Sequence, residues 1–145
     1  MSISKQISLS LPAEANYIDI ARLTLYGISN KMGFSYEDIE DMKVAIAEAC
    51  NNVVLHAYQG VDKGTIDINF EMSETKLIIT VSDNGASFDY EPIAEHLTPH
   101  HNKSLDEITA GGLGIYLMQA LMDQVDVKSD KGTTLILTKY LQPIE

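Results

Sequence analysis

The stretch TIDINFEMSETKLIITVSDNG, residues 65–85, decides the fold. Ile66, Ile68 and Phe70 alternate with Asp67, Asn69 and Glu71, the period-two pattern of a strand with one face buried. Ser73 to Lys76 turns the chain, and Leu77 to Val81 returns as a more apolar, central strand. A hairpin is the economical reading. Directly beyond it stands Asp83-Asn84-Gly85, which puts a carboxylate at a strand end beside a glycine that lets the backbone approach a ligand.

Working outward, Ile3, Ile7, Leu9 and Leu11 among Ser4, Lys5, Ser8 and Ser10 predict a first, half-buried strand ended by Pro12. Ile18, Leu23, Leu25, Tyr26 and Ile28 recur on a helical period from about Ala15 to Met32, and Gly33 lies where a C-cap glycine would. Ser35 and Asp38 approximate a capping box, and Glu37, Asp38, Glu40 and Asp41 load the start of a second helix, Tyr36 to Tyr58, with charge that complements its dipole. Downstream, Asp83 to Gly112 is long and unpatterned, holding Pro92, Pro99 and three of the four histidines, and loops of this length are usually functional. It reads as a lid. Ile115, Leu117, Met118, Leu121 and Met122 mark a third helix, Val125 and Val127 a strand, Asp130-Lys131-Gly132 a turn, and Thr134 to Tyr140 a last strand. Three helices and about five strands with two hairpins predict an α+β domain, a two-layer α/β sandwich. Its sheet is mixed and mostly antiparallel, with helices on one face. The other face is left to water or to a partner. Methionines and tyrosines at helical spacing are expected in the core.

The chain has 145 residues, enough for one domain with one core. Ten Lys and Arg against 21 Asp and Glu give a formal net charge of −11, which argues against a nucleic-acid or anionic-membrane surface, since those need clustered cations. The single cysteine, Cys50, can form no internal disulfide and completes no zinc cluster, which fits a reducing cytoplasm. The N-terminus lacks the continuous apolar region of a signal peptide, and no window approaches the roughly 18 apolar residues of a membrane helix.

Several constellations carry chemistry. Glu48 and Asn52 are spaced i, i+4, so a carboxylate and a neutral oxygen ligand share one helix face, suited to a base and a magnesium contact. Taken alone, that spacing describes a solvated helix face. Gly111-Gly112-Leu113-Gly114 precedes an apolar helix, and a glycine-rich helix N-terminus presents backbone N–H groups and the positive dipole end to a phosphate. No GxxxxGK[ST] is present, which excludes the classical P-loop. His96, His100 and His101 lack a carboxylate or thiol framework and read as solvated residues of the lid. Cys50 has nothing basic placed to ionise it and reads as a small core residue.

The order helix Glu…Asn, strand-end Asp-x-Gly, glycine-rich helix start and Gly132-Thr133-Thr134 resembles the N, G1 and G2 boxes of the GHKL ATPase superfamily, across nearly the whole chain. Ala21-Arg22-Leu23-Thr24-Leu25, Ser87-Phe88-Asp89-Tyr90, Gly112 to Met118 and Thr138-Lys139-Tyr140-Leu141 narrow the resemblance to the bacterial anti-sigma-factor serine kinases. It implies the GHKL (Bergerat) sandwich, with a lid at about 86–111, and ATP and Mg²⁺ as cofactors. Asn52 would coordinate the metal and Glu48 would be the catalytic base. Asp83 would bind the adenine amino group, Gly85 would shape that pocket, Thr134 would lie near the base, and Gly112 and Gly114 would form the phosphate-facing end of the lid. Ala86-Ser87 stand where the wider superfamily often has a second glycine. The implied activity is capture of a sigma factor and ATP-dependent phosphorylation of a serine on an anti-sigma-factor antagonist, by a cytoplasmic homodimer. Arg22, the sole arginine, would contact both protein partners. Competing readings are a nucleotide-gated sequestration module without useful transfer, a detached histidine-kinase catalytic domain and a stressosome-type switch kinase. A retained Glu48 argues against the first, and the lack of a preceding phosphoacceptor helix against the second.

Overall fold

A computed structural model describes residues 4–57, 64–83, 113–128 and 132–142 of the chain. The expected lid lies outside the described residues. Among the described residues, strands β1 (Lys5–Pro12), β2 (Thr65–Met72), β3 (Lys76–Asp83), β4 (Gln124–Lys128) and β5 (Thr134–Tyr140) form one sheet in the order β1-β2-β3-β5-β4. Every adjacent pair is antiparallel, so the expected mixed character is absent from these strands. The hairpin reading of the two runs Ile66 to Glu71 and Leu77 to Val81 holds, with the Ser73 N–H donating to the Lys76 carbonyl at the turn. β3 is the central strand, as its apolar run predicts. Pro12 ends β1 as expected, as its last residue, paired opposite Thr65, which an edge strand allows because it needs no donor on its outer side.

Alternation divides the sheet. Ile66, Ile68 and Phe70 of β2, Leu77, Ile79 and Val81 of β3, and Leu135 and Leu137 of β5 are buried beneath the helices. Burying each such side chain contributes roughly 1.5–3 kcal/mol. The opposite face is lined by Ser8, Ser10, Asp67, Asn69, Thr80 and Ser82, with Ser8 Oγ donating to Asn69 Oδ1 and Ser10 Oγ to Asp67 Oδ1, each at 2.9 Å.

The helical layer is α1 (Ile18–Met32), α2 (Tyr36–Ala57) and α3 (Leu113–Leu121). The first turn expected of helix one, Ala15–Tyr17, is a separate 3₁₀ turn. Ile39, Met42, Ile46, Ala49 and Val53 recur at spacings of three and four on α2 and are all buried, so this helix lies on the sheet with α1 and α3 packed against it. Its start is capped as predicted, Ser35 Oγ accepting the Asp38 N–H at 3.1 Å. α1 buries Ile18, Ala21, Leu25, Ile28 and Ser29, whose hydroxyl is satisfied by the Leu25 carbonyl at 2.7 Å. Leu23 and Tyr26 share the apolar period of α1 yet stand exposed, at 70% and 46%, because they fall on its far side from the sheet. Met42, Met118 and Met122 are core residues, but Tyr36 and Tyr116 are exposed as well, so the tyrosines do not follow the methionines inside. No helix among the described residues is long and apolar enough to cross a membrane.

α1 ends in a Schellman arrangement. Gly33, at φ 96°, donates to the Asn30 carbonyl while the Phe34 N–H returns to Ser29 O, and the Phe34 ring is buried. Gly33→Ala therefore forces a side chain into the left-handed region. Thermal unfolding is expected to show a loss of about 1 kcal/mol, or roughly 3 °C in Tm, with unchanged secondary structure.

Candidate functional site

Glu48 and Asn52 sit one turn apart on the flank of α2 that faces α3, each half-buried. They point there because the buried stripe through Ala45, Ala49 and Val53 commits the neighbouring face to the sheet. The first turn of α3 approaches the pair closely. A Cβ placed on Gly114 would come within 3.0 Å of Glu48 Oε2 and 3.8 Å of both Asn52 amide atoms. The absent side chain therefore leaves space that a carboxylate, an amide and a helix N-terminus share. A helix N-terminus presents backbone N–H groups that lack intrahelical partners and the positive end of its dipole, chemistry that suits a phosphate.

A second cluster forms where β3 and β5 end together. Asp83 follows the inward alternation of Leu77, Ile79 and Val81, and its Oδ2 accepts the Thr133 N–H at 2.9 Å. Gly132 is buried at φ 97°, and a Cβ there would lie 2.8 Å from Asp83 Oδ2. A glycine is thus required twice over, by backbone conformation and by space. Thr134 pairs with Ser82, and alternation with Leu135 directs its side chain to the sheet face away from the helices. The contact to Asp83 is made by Gly132 and Thr133, which sequence reasoning quoted as part of a motif but did not single out. The turn Asp130-Lys131-Gly132 was the signal that could have found them. Gly85 and Gly112 lie outside the described residues.

Cys50 lies between Glu48 and Asn52 in sequence but turns into the core, and burial pushes its thiol pKa up to about 12. It is chemically silent. Arg22 lies on α1, the helix packed on the other flank of α2. Its guanidinium donates to Asp19 Oδ1 at 2.7 Å in an exposed i, i+3 pair. The pair borders a groove of about 680 Å³ between α1 and α2, where Leu23, Tyr26 and Val44 form the apolar part and Lys43 stands over the Tyr26 ring.

A two-layer sandwich with a phosphate-suited helix end against a Glu…Asn pair, and a carboxylate held at the end of the central strand, is the arrangement of an ATP-binding domain. The profile of the histidine kinase-like ATPase domain matches residues 11–139, and the chain belongs to that family. Within it, the chain is similar to the serine-protein kinases RsbW. It is 45% identical over 136 residues to that of Bacillus velezensis, covering 93% of this chain and 85% of the relative. It is 46% identical over 139 residues to that of Bacillus cereus, covering 95% and 86%. Among solved structures, the RsbU and RsbW domains of Rv1364c from Mycobacterium tuberculosis match with a TM-score of 0.66 at 22% identity. That match covers 96% of this chain and 33% of the other, and it shows the fold.

The two glycines predict opposite outcomes. Gly132→Ala should cost roughly 1–3 kcal/mol of stability through backbone strain and should displace Asp83. Gly114→Ala should cost nothing, or add up to about 1 kcal/mol of helix propensity, because only the movable end of Glu48 must give. Denaturant unfolding compares them, and nucleotide titration should nevertheless find Gly114→Ala weakened.

Proposed function

We propose that this chain is an anti-sigma factor and serine-protein kinase. It captures a sigma factor, and it uses ATP to phosphorylate a serine of an anti-sigma-factor antagonist. The observation that carries the reading is the close approach of Gly114 to Glu48 and Asn52, which brings a carboxylate and an amide to the N-terminus of α3. The similarity to serine-protein kinases over more than nine-tenths of the chain supports it.

Phosphoryl transfer demands mostly positioning and charge neutralisation. The N-terminal amides of α3 hold the phosphates. Glu48 accepts the proton of the substrate serine hydroxyl as its oxygen attacks the terminal phosphorus, and the bond to the ADP oxygen breaks. Asn52 offers the hard neutral oxygen that suits Mg²⁺, which supplies charge neutralisation when bound. Asp83, fixed by the Thr133 N–H, binds the adenine amino group, and Thr134, with its side chain on the other sheet face, contributes there only through its backbone. Gly85 shapes that pocket and Gly112 belongs with Gly114 to the phosphate end. Arg22, exposed beside an apolar groove, contacts both protein partners, so that one excludes the other. The working form is a cytoplasmic homodimer.

Glu48→Gln should keep ATP affinity while slowing serine transfer about 10²–10⁴-fold, and Asn52→Ala should lose Mg·ATP binding with its fold intact. Calorimetry and single-turnover phosphorylation read the pair. Wild-type transfer by Glu48→Gln would remove the base. Arg22→Ala forfeits only an exposed ion pair worth about 0–1 kcal/mol to the fold. It should weaken sigma factor and antagonist by about 2 kcal/mol or more each, with Mg·ATP affinity within about twofold. Titrations against all three ligands check this.

A further inference from the structure

The motif Thr138-Lys139-Tyr140-Leu141 has no part in the chemistry above, yet it converges on the C-terminal end of α3. Lys139 pairs opposite Leu77 and, two residues beyond Leu137, faces the helices. Its Nζ donates to the Leu121 carbonyl, in the last turn of α3, at 2.7 Å and stands 3.9 Å from Asp38 Oδ1 in the first turn of α2. Around it, the Asp123 N–H donates to Thr138 O at 3.0 Å, and the Tyr140 N–H donates to Asp123 Oδ2 at 2.7 Å. Lys139 is 9% exposed and is the only charged side chain among the described residues that is buried.

Burying an ammonium is costly, and an unbranched apolar side chain such as methionine would fill a similar space without that cost. The charge does supply a directional tie to a carbonyl at the negative end of a helix, together with attraction to a carboxylate on the neighbouring helix. α3 is nine residues long, about 13 Å at 1.5 Å per residue, and rigid over that length. A shift of Leu121 along the helix axis therefore reaches Gly114 undiminished, where clearance from Glu48 is least.

We propose that Lys139 is a positioning residue of the nucleotide site. It clamps the end of α3 to β5 and to the start of α2, and so sets the height of the α3 N-terminus against Glu48 and Asn52. The functional half of this inference rests on the assignment of that N-terminus to phosphate. The structural half does not.

The test compares the full chain with Lys139→Met and Lys139→Arg. Without nucleotide, Lys139→Met should raise hydrogen exchange of the 113–121 amides about tenfold and leave α1 unchanged. A fluorescent ATP analogue should bind it about tenfold more weakly, while the urea midpoint holds or rises. Lys139→Arg should restore affinity to within about threefold, since it keeps a donor and the charge. If Lys139→Met does not fold, Asp38→Asn, which retains the ammonium, carries the same readings at about twofold. Wild-type exchange in α3 overturns the clamp. Faster exchange with wild-type nucleotide affinity overturns its link to the site. A wild-type chain that does not bind the analogue overturns the proposed function instead, and the exchange measurement then decides the clamp alone.

Discussion

The packing of α2 is the constraint on which the rest depends. Its buried stripe, Ile39 to Val53, fixes its rotation about its own axis, and the small residues Ala45, Ala49 and Cys50 let its backbone lie near the sheet. With that rotation set, Glu48 and Asn52 lie against α3, and Glu40, Lys43 and Val44 border the groove beside α1. The same helix thus forms a wall of both candidate surfaces. Val44 and Asn52 are eight residues apart, about 12 Å along one rigid helix. A protein partner in the groove and a nucleotide at α3 would therefore lean on a common element.

Close approach through glycine is the second theme, and it works in two ways. At Gly132 the backbone itself is left-handed and the carboxylate of Asp83 occupies the side-chain position, so sequence freedom is lost for conformational and steric reasons together. At Gly114 the backbone is ordinary and only space is reserved. On the proposed reading, stability and nucleotide binding should separate at the second position, because a helix gains from alanine while clearance from Glu48 is lost.

Electrostatics frame both. On the proposed reading, a chain of net charge −11 whose Glu48 and Asp83 would face an anionic nucleotide must offset their repulsion locally. The helix dipole of α3 provides part of this, and a divalent cation held with Asn52 would provide more. Lys139, at the far end of α3, has the sign that stabilises that dipole from its carbonyl end.

Much was legible in the sequence because it is written in local periodicity. The alternation in residues 65–81 fixed a hairpin and a central strand, the i, i+4 spacing put Glu48 and Asn52 on one face, and Gly33 and Ser35 marked helix ends. These are short-range rules of backbone geometry, which no distant contact needed to arbitrate. Pairing between distant strands was not legible, since period two does not say which neighbour a strand chooses; only the tertiary structure put β5 beside β3. For that reason Asp83 finds Thr133 only after folding, across fifty positions of chain. Burial of amphipathic side chains was equally undecided. Leu23 and Tyr26 fit the helical period yet face water, and Lys139, polar by composition, is enclosed because a carbonyl and a carboxylate from two other elements meet it there.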